Sequence, residues 1–219
     1  MKVEKLFDGV FMVDGKLATI NLVPGVRVYN EDLVSHDEKQ YRLWTPYRSK
    51  LAAAIMKGLK DLGIRKGSHV LYLGAATGTT PSHVSDIVGE KGLVYCIEIS
   101  ERSMRDLLKI CEVRHNLLPI LQDARNTEQY RDDVGVADCI YMDVAARDQD
   151  EILLRNADLL TMGGYAYVAI KSQSIDVSKD PQQVFLDFLK AVSVKFDVIQ
   201  EIDIEPYDKM HLFVVLKKK

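Results

Sequence analysis

The sequence predicts an α/β fold whose main sheet is largely parallel, preceded by a small antiparallel β unit. From about residue 45 onward, apolar runs of strand length alternate with segments of helical period, and this alternation requires right-handed crossovers between parallel strands. The last two β-prone runs have no helix between them, which predicts an antiparallel hairpin at the sheet edge. We therefore predict two units, residues 1–40 and residues 41–219.

The N-terminal unit is predicted from short β-prone runs with turn residues between them. Asp-Gly follows the first and second runs and Pro-Gly follows the third; these residues tolerate the positive φ of tight hairpin turns. The three predicted strands are Val3–Phe7, Val10–Val13 and Leu17–Val23.

The first helix is predicted to begin at Thr45-Pro46, since threonine caps a helix and proline suits its first position. Gly63 is predicted to end it. Between these limits apolar residues recur at helical spacing: Leu51, Ile55, Leu59 and Leu62.

The remaining elements follow from period and length. The predicted strands are Val70–Leu73, Leu93–Ile99, Leu117–Leu121, Ala137–Met142 and Tyr165–Ile170, followed by the closing pair Asp197–Ile204 and His211–Leu216. The predicted helices are Pro81–Val88, Glu101–Cys111, Gln149–Leu160 and Pro181–Val194.

Composition excludes several classes of protein. No apolar run approaches the roughly 20 residues of a membrane span, and no signal sequence is present, so we expect a cytoplasmic protein. Three cysteines without a C-x-x-C pair argue against a disulfide framework and against a cysteine zinc site. The 29 Lys and Arg residues against 32 Asp and Glu residues lack the cation surplus of a protein that binds nucleic acid unaided.

A glycine loop follows the first strand of the alternating region, where open α/β sheets bind nucleotide-like ligands. The loop is Gly74-Ala75-Ala76-Thr77-Gly78-Thr79-Thr80. The dinucleotide pattern requires glycine where this chain has Ala76 and Thr79, and the G-K-[ST] ending of a phosphate loop is absent. The loop therefore favours a ligand without a pyrophosphate over NAD or ATP.

Three carboxylates follow successive predicted strands: Glu98, Asp123 and Asp143. Each alone could cap the next helix. Together with the glycine loop they converge on one crevice, where a carboxylate such as Glu98 can accept hydrogen bonds from the ribose hydroxyls of an adenosine. The combination favours an S-adenosyl-L-methionine site and therefore a methyltransferase.

Four segments closely resemble the signature of the fibrillarin family, and the resemblance extends over essentially the whole chain. The segments are residues 41–55, 71–80, 143–149 and 169–172. The resemblance implies a Rossmann-like class I methyltransferase fold and S-adenosylmethionine-dependent 2′-O-methylation of ribose in rRNA and tRNA. It also implies work inside box C/D guide RNA particles. The chain begins directly with the small β unit, as archaeal members do.

The sequence departs from the family pattern at two places. Thr45 stands where the family usually has asparagine, and threonine caps a helix nearly as well. Ala146-Arg147 stands where the family commonly has Gln-Pro, so any contact of that glutamine with the cofactor is missing.

The resemblance also implies the residues of the site. The implied catalytic tetrad is Lys50, Asp143, Lys171 and His211. The implied cofactor-binding residues are Gly74, Ala75, Thr79, Thr80, Glu98, Ile99, Asp123, Ala124, Asp143, Val144, Ala145 and Ala146. Without the family, Lys50 is more simply a solvated lysine and His211 a packed or surface histidine. Trp44 either stacks on a base or anchors the first helix in the core.

The resemblance therefore implies a guide-RNA-directed ribose methyltransferase. The implied partners are a Nop-domain scaffold protein, a kink-turn-binding ribosomal-type protein, the guide RNA and its rRNA or tRNA substrate. Three alternatives stay open: a methyltransferase with another acceptor, a non-catalytic particle subunit that binds cofactor only for stability, and a nicotinamide oxidoreductase. The group that accepts the 2′-hydroxyl proton is left open.

Overall fold

The computed structural model describes residues 1–219 and contains two sheets. The smaller one is antiparallel throughout, in the order β1-β2-β3-β5-β4. Its strands are β1 (Val3–Phe7), β2 (Val10–Val13), β3 (Lys16–Ile20), β4 (Leu33–His36) and β5 (Lys39–Leu43).

The hairpin of β4 and β5 was not predicted from the sequence. Its turn is made by Asp37 and Glu38, which both have positive φ, 47° and 61°, in a polar segment without the usual glycine signal. Since β5 runs to Leu43, the predicted division after residue 40 falls inside the last strand of this sheet.

The larger sheet has seven strands in the order β11-β12-β10-β9-β6-β7-β8. The strands β6 to β10 are mutually parallel, and β12 pairs antiparallel with both β10 and β11. The predicted fold class, including the antiparallel hairpin at the edge, is confirmed. The bounds are β6 (His69–Leu73), β7 (Leu93–Glu98), β8 (Leu117–Leu121), β9 (Ala137–Met142), β10 (Leu160–Lys171), β11 (Phe196–Asp203) and β12 (His211–Lys218).

Seven α-helices connect these strands. None of them combines the length and the apolar character that crossing a bilayer requires. They are α1 (Lys50–Met56), α2 (Thr79–Val88), α3 (Glu101–Cys111), α4 (Arg131–Val134), α5 (Gln149–Asn156), α6 (Ser172–Ile175) and α7 (Pro181–Val192).

The first helix is shorter than predicted at both ends. Pro46–Arg48 forms a separate 3-10 turn, and α1 is capped by Ser49, whose hydroxyl accepts a hydrogen bond from the amide of Ala52 at 3.3 Å. The helix ends at Met56, well before Gly63, because Gly58 takes φ +91°, the left-handed conformation that ends helices.

Other boundaries differ by a few residues. The helix α2 begins at Thr79, two residues before Pro81, and α5 gives way after Asn156 to a 3-10 turn. The strand β10 begins at Leu160 rather than Tyr165, because it pairs with β9 on both sides of an irregularity between Leu160 and Tyr165.

The larger sheet is covered by apolar side chains on both faces. Along β6, Tyr72 packs into one cluster with Leu51 of α1, while Leu71 and Leu73 pack into the other with Leu153 of α5. This alternation is the period of two of a strand with both faces buried.

A buried charged cluster joins the small sheet to the larger unit. The guanidinium of Arg42 on β5 lies 2.6 Å from Glu31 and 2.8 Å from Asp86 of α2. Arg114 approaches Asp86 at 2.6 Å, and the Thr19 hydroxyl donates to Asp86 at 2.7 Å. The charges of this cluster are therefore paired where they are shielded from water.

Trp44 also lies where the small sheet packs against the larger unit. It is 2% exposed and stacks on His83 of α2 with ring centroids 4.6 Å apart. Of the two interpretations of Trp44 that the sequence left open, the structure supports core anchoring.

Candidate active site

The predicted site residues stand where the parallel strands end. Gly74 follows β6, Glu98 ends β7, Asp123 follows β8, Asp143 follows β9 and Lys171 ends β10. Because β6 lies between β7 and β9, the strand order reverses at β6, and ligands of open α/β sheets bind in the crevice at such a point.

The first loop and the end of β9 approach each other closely. Gly74 has φ +82°, and a Cβ atom there would lie 2.8 Å from the backbone oxygen of Asp143. Only glycine satisfies both constraints, and its presence brings the Asp143 segment to the floor of the crevice.

A cavity of about 320 Å³ fills this crevice. All but three of the predicted cofactor residues line it, together with Lys171. The predicted residues in the lining are Gly74, Glu98, Ile99, Asp123, Ala124, Asp143, Val144, Ala145 and Ala146.

The other three predicted cofactor residues lie beside the cavity. Ala75 is buried, and its amide donates to the Ile97 backbone oxygen at 3.1 Å. Thr79 and Thr80 are the first two residues of α2, and the Thr80 hydroxyl donates to the Ser49 hydroxyl at 3.0 Å. Their side chains do not line the cavity. Their backbone amides belong to the first turn of α2, where amides have no partner within the helix.

Glu98 holds the glycine loop in place. Its carboxylate accepts hydrogen bonds from the amides of Ala76 at 2.7 Å and Ser100 at 2.8 Å, one on each oxygen. A carboxylate has about four acceptor positions, so two positions of Glu98, which lines the cavity, stay open.

Asp123 is held by a residue that the sequence analysis did not single out. Arg125 bridges two loops, with its guanidinium 3.1 Å from Asp123 and 2.6 Å from Asp148. The hydrogen bond from Arg125 keeps the pKa of the Asp148 carboxyl below its usual range. The bridge holds Asp123 in the lining of the cavity.

The predicted tetrad is assembled in space around Asp143. The Lys171 ammonium lies 2.7 Å from the Asp143 carboxylate and 3.0 Å from its backbone oxygen, and Lys50 lies 3.1 Å from the same carboxylate. Asp208, which was not predicted, lies 3.4 Å from Lys50 and 3.0 Å from Nδ1 of His211. His211 in turn stands opposite Lys171 in the β10–β12 pairing, so the five residues form a closed ring.

Charge pairing keeps Lys50 protonated. Burial by itself disfavours its ammonium, but the carboxylates of Asp143 and Asp208 outweigh burial and raise the pKa of Lys50. Lys50 is therefore a fixed cation of the site rather than the solvated lysine that the sequence alone favoured.

Gln149 ties two of the strand ends together. Its buried side chain donates to the Val144 backbone oxygen at 2.9 Å and accepts from the Lys171 amide at 3.4 Å. The segments that carry Asp143 and Lys171 are thus held at a fixed separation.

The sheet with its antiparallel edge, the glycine loop at the reversal of strand order and the acidic strand ends define a Rossmann-like methyltransferase. Within this class the chain belongs to the fibrillarin family, whose sequence model matches residues 1–219. It is 50% identical to the fibrillarin-like rRNA/tRNA 2′-O-methyltransferase of Pyrococcus abyssi, over 97% of this chain and 96% of that protein.

Three solved structures agree with this assignment. The Methanococcus jannaschii fibrillarin pre-rRNA processing protein superposes with a TM-score of 0.95 at 44% identity, over 99% of this chain and 97% of that one. Aeropyrum pernix fibrillarin, crystallised with natively bound S-adenosyl-L-methionine, gives 0.91 at 42% identity over 99% and 98%. A chain from a fibrillarin/Nop5p complex gives 0.90 at 36% identity over 99% and 100%.

Proposed function

We propose that this protein transfers a methyl group from S-adenosyl-L-methionine to the ribose 2′-hydroxyl of rRNA and tRNA, as the catalytic subunit of a box C/D guide RNA particle. The observation that carries the proposal is the cluster of Lys50, Asp143 and Lys171 at the rim of a cavity built from the glycine loop and acidic strand ends. The names and activity of the archaeal relatives support it.

The cavity fits the proposed cofactor. Its volume lies in the range of small-molecule sites. We assign the open acceptor positions of Glu98 to the ribose hydroxyls, Asp123 to the adenine end, and the first amides of α2 at Thr79 and Thr80 to the methionine carboxylate. The S-adenosyl-L-methionine bound in the Aeropyrum pernix relative supports the choice of cofactor.

When bound, the cofactor supplies an electrophilic methyl group on a sulfonium sulfur. The chain's own residues must place the 2′-oxygen in line with it and stabilise the charge that develops there. We assign charge stabilisation to Lys171. Such electrostatic stabilisation is usually the largest single contribution to catalysis. Asp143 orients Lys171 and the hydroxyl, Lys50 positions the ribose and its phosphate, and His211 lies beside the ribose hydroxyl.

The proposal includes partners and a cytoplasmic location. The fibrillarin/Nop5p complex supports a Nop-domain scaffold protein as the docking partner. We further propose that a kink-turn-binding ribosomal-type protein and the guide RNA complete the particle. A formal net charge of −3 suits an enzyme whose RNA is held by others.

A guide-exchange experiment tests the proposal. The protein is assembled with the two companion proteins and either of two guide RNAs, which pair with different nucleotides of one substrate. The proposal predicts that labelled methyl moves to the nucleotide selected by each guide. Label at one nucleotide with both guides, or label without any guide, would contradict guidance; absence of label from an assembled, cofactor-binding particle would contradict catalysis.

A further inference from the structure

The ring of His211 is held in one orientation by its Nδ1 atom. This atom lies 3.0 Å from a carboxylate oxygen of Asp208 and 2.7 Å from the backbone oxygen of Lys209. Both oxygens only accept hydrogen bonds, so Nδ1 carries the hydrogen. The lone pair of neutral His211 is then on Nε2, which has no hydrogen-bond partner in the protein.

The fold places the ring of His211 beside Lys171, the residue to which we assign stabilisation of the developing charge. His211 on β12 is directly opposite Lys171 on β10, and residues paired in this way project their side chains from the same face of a sheet. Lys171 lines the cofactor cavity, so the open Nε2 belongs to a side chain next to the cavity rim.

Other groups of the cluster are already occupied. One oxygen of the Asp143 carboxylate accepts a hydrogen bond from Lys50, and the other lies 2.7 Å from the Lys171 ammonium, which donates to the Asp143 backbone oxygen. The raised pKa of Lys50 keeps it protonated. Tyr72 and Tyr141, stacked in the core nearby, keep their protons because burial raises the pKa of each phenol.

We infer that Nε2 of His211 accepts the proton of the ribose 2′-hydroxyl, and that Asp208 is the positioning residue that holds the ring for this step. The inference rests on the proposed function. As the bond from the 2′-oxygen to the methyl carbon forms, the carbon–sulfur bond breaks and its electron pair stays on sulfur as a neutral thioether. The hydroxyl proton moves to Nε2, and the positive charge passes from sulfonium to imidazolium.

The surroundings of His211 are arranged to carry that charge. Asp208 is a counter-ion at Nδ1 for the imidazolium. Lys50 pairs with both Asp208 and Asp143 and so connects the two carboxylates. The nearby cations Lys50 and Lys171 share the carboxylate of Asp143, and Lys50 also pairs with Asp208. A histidine oriented by a carboxylate and acting through its other nitrogen is the general arrangement of a positioned base.

Chemical rescue tests the proton acceptor. Single-turnover transfer is measured in the assembled particle, with saturating cofactor, for wild type, His211→Ala and the exposed control His115→Ala. We expect His211→Ala to lose about 100-fold or more in rate, to lose the acidic limb of the pH profile, and to regain rate with added imidazole. The control should match wild type. A pH profile of His211→Ala parallel to that of wild type, with no response to imidazole, would overturn the inference.

Asp208→Asn tests the positioning role, with Asp208→Glu as the conservative variant and the exposed Asp132→Asn as control. Removing the carboxylate charge should lower the rate about tenfold or more and move the acidic limb to lower pH, since imidazolium loses its counter-ion. KM for RNA should stay unchanged, and Asp208→Glu should restore the limb. An unmoved limb in Asp208→Asn would contradict the role. If wild type itself transfers no methyl, the proposed function fails, which is a different result.

Discussion

Lys50 lies 3.1 Å from the carboxylate of Asp143, although 93 positions separate them in the chain. Lys50 is the first residue of α1, and Asp143 follows the central strand β9. The ion pair therefore forms only when α1 is docked on the sheet by its buried residues, among them Leu51. Docking of this helix and assembly of the proposed catalytic cluster are one event.

Asp143→Asn should lower methyl transfer by about 100-fold or more, because it removes the shared counter-charge that orients both lysines. Single-turnover rates measure the effect, and Asp133→Asn, at an exposed position, is the matched control. A rate near that of wild type would contradict the role of Asp143.

Glu98→Gln should weaken cofactor binding about tenfold or more while leaving RNA binding unchanged. The amide side chain has one acceptor oxygen in place of two, so it cannot serve both the Ala76 and Ser100 amides and the ribose hydroxyls. Calorimetric titration with S-adenosyl-L-methionine measures the affinity. Unchanged affinity would remove Glu98 from the proposed cofactor site.

Gly74→Ala should reduce both stability and transfer. The added methyl group meets the backbone oxygen of Asp143 at 2.8 Å and imposes strain at positive φ. Gly67→Ala is a close control, since Gly67 has φ +85° with nothing within 4 Å of the added atom. Thermal unfolding should show about 1 kcal/mol of loss in the control and more in Gly74→Ala, and only Gly74→Ala should lose activity. Equal effects would contradict the close approach.

Arg42→Met should destabilise the protein by about 3–5 kcal/mol, because Glu31 is left buried without a cation and Asp86 keeps only Arg114. Arg65→Met removes an exposed pair with Asp61 at 3.8 Å and should cost less than about 1 kcal/mol. Denaturant unfolding compares the two variants. A loss for Arg42→Met no greater than for Arg65→Met would show that the small sheet is held by other contacts.

Acid should weaken the buried charged cluster that joins the small sheet to the larger unit. Burial favours protonation of Glu31, but Arg42 and the amides of Tyr29 and Val28 outweigh burial and lower the pKa of Glu31. A lowered carboxyl pKa stabilises the folded state above the ordinary value of 4.5, and this contribution is lost as pH falls through the folded-state pKa. Unfolding free energies measured below pH 5 should show a smaller acid loss in Glu31→Gln than in wild type. Identical pH dependence would contradict this contribution.

The sequence predicted the parallel sheet because its strands are short apolar runs bounded by helices, a local pattern. It placed Glu98 and Asp143 correctly at strand ends for the same reason. The start of α1 was misplaced, since Thr45-Pro46 offers a capping signal as good as that of Ser49. Choosing between the two requires the tertiary packing of α1.

Asp208 and Arg125 could not be found from one sequence. Each is a single polar residue in a loop, and its importance comes from partners elsewhere in the chain: Lys50 for Asp208 and Asp148 for Arg125. Arg42 likewise reads as a surface arginine within a polar segment, yet it is fully buried among carboxylates. Contacts between distant segments carry no local signal.

The central claim is transfer of methyl to a ribose 2′-oxygen, and one measurement tests it most directly. Labelled S-adenosyl-L-methionine is given to the assembled particle with a guide-paired RNA, and with the same RNA carrying deoxyribose at the target nucleotide. The account predicts label on the first RNA and none on the second. Equal label on both RNAs, or none on either in a particle that binds the cofactor, would contradict it.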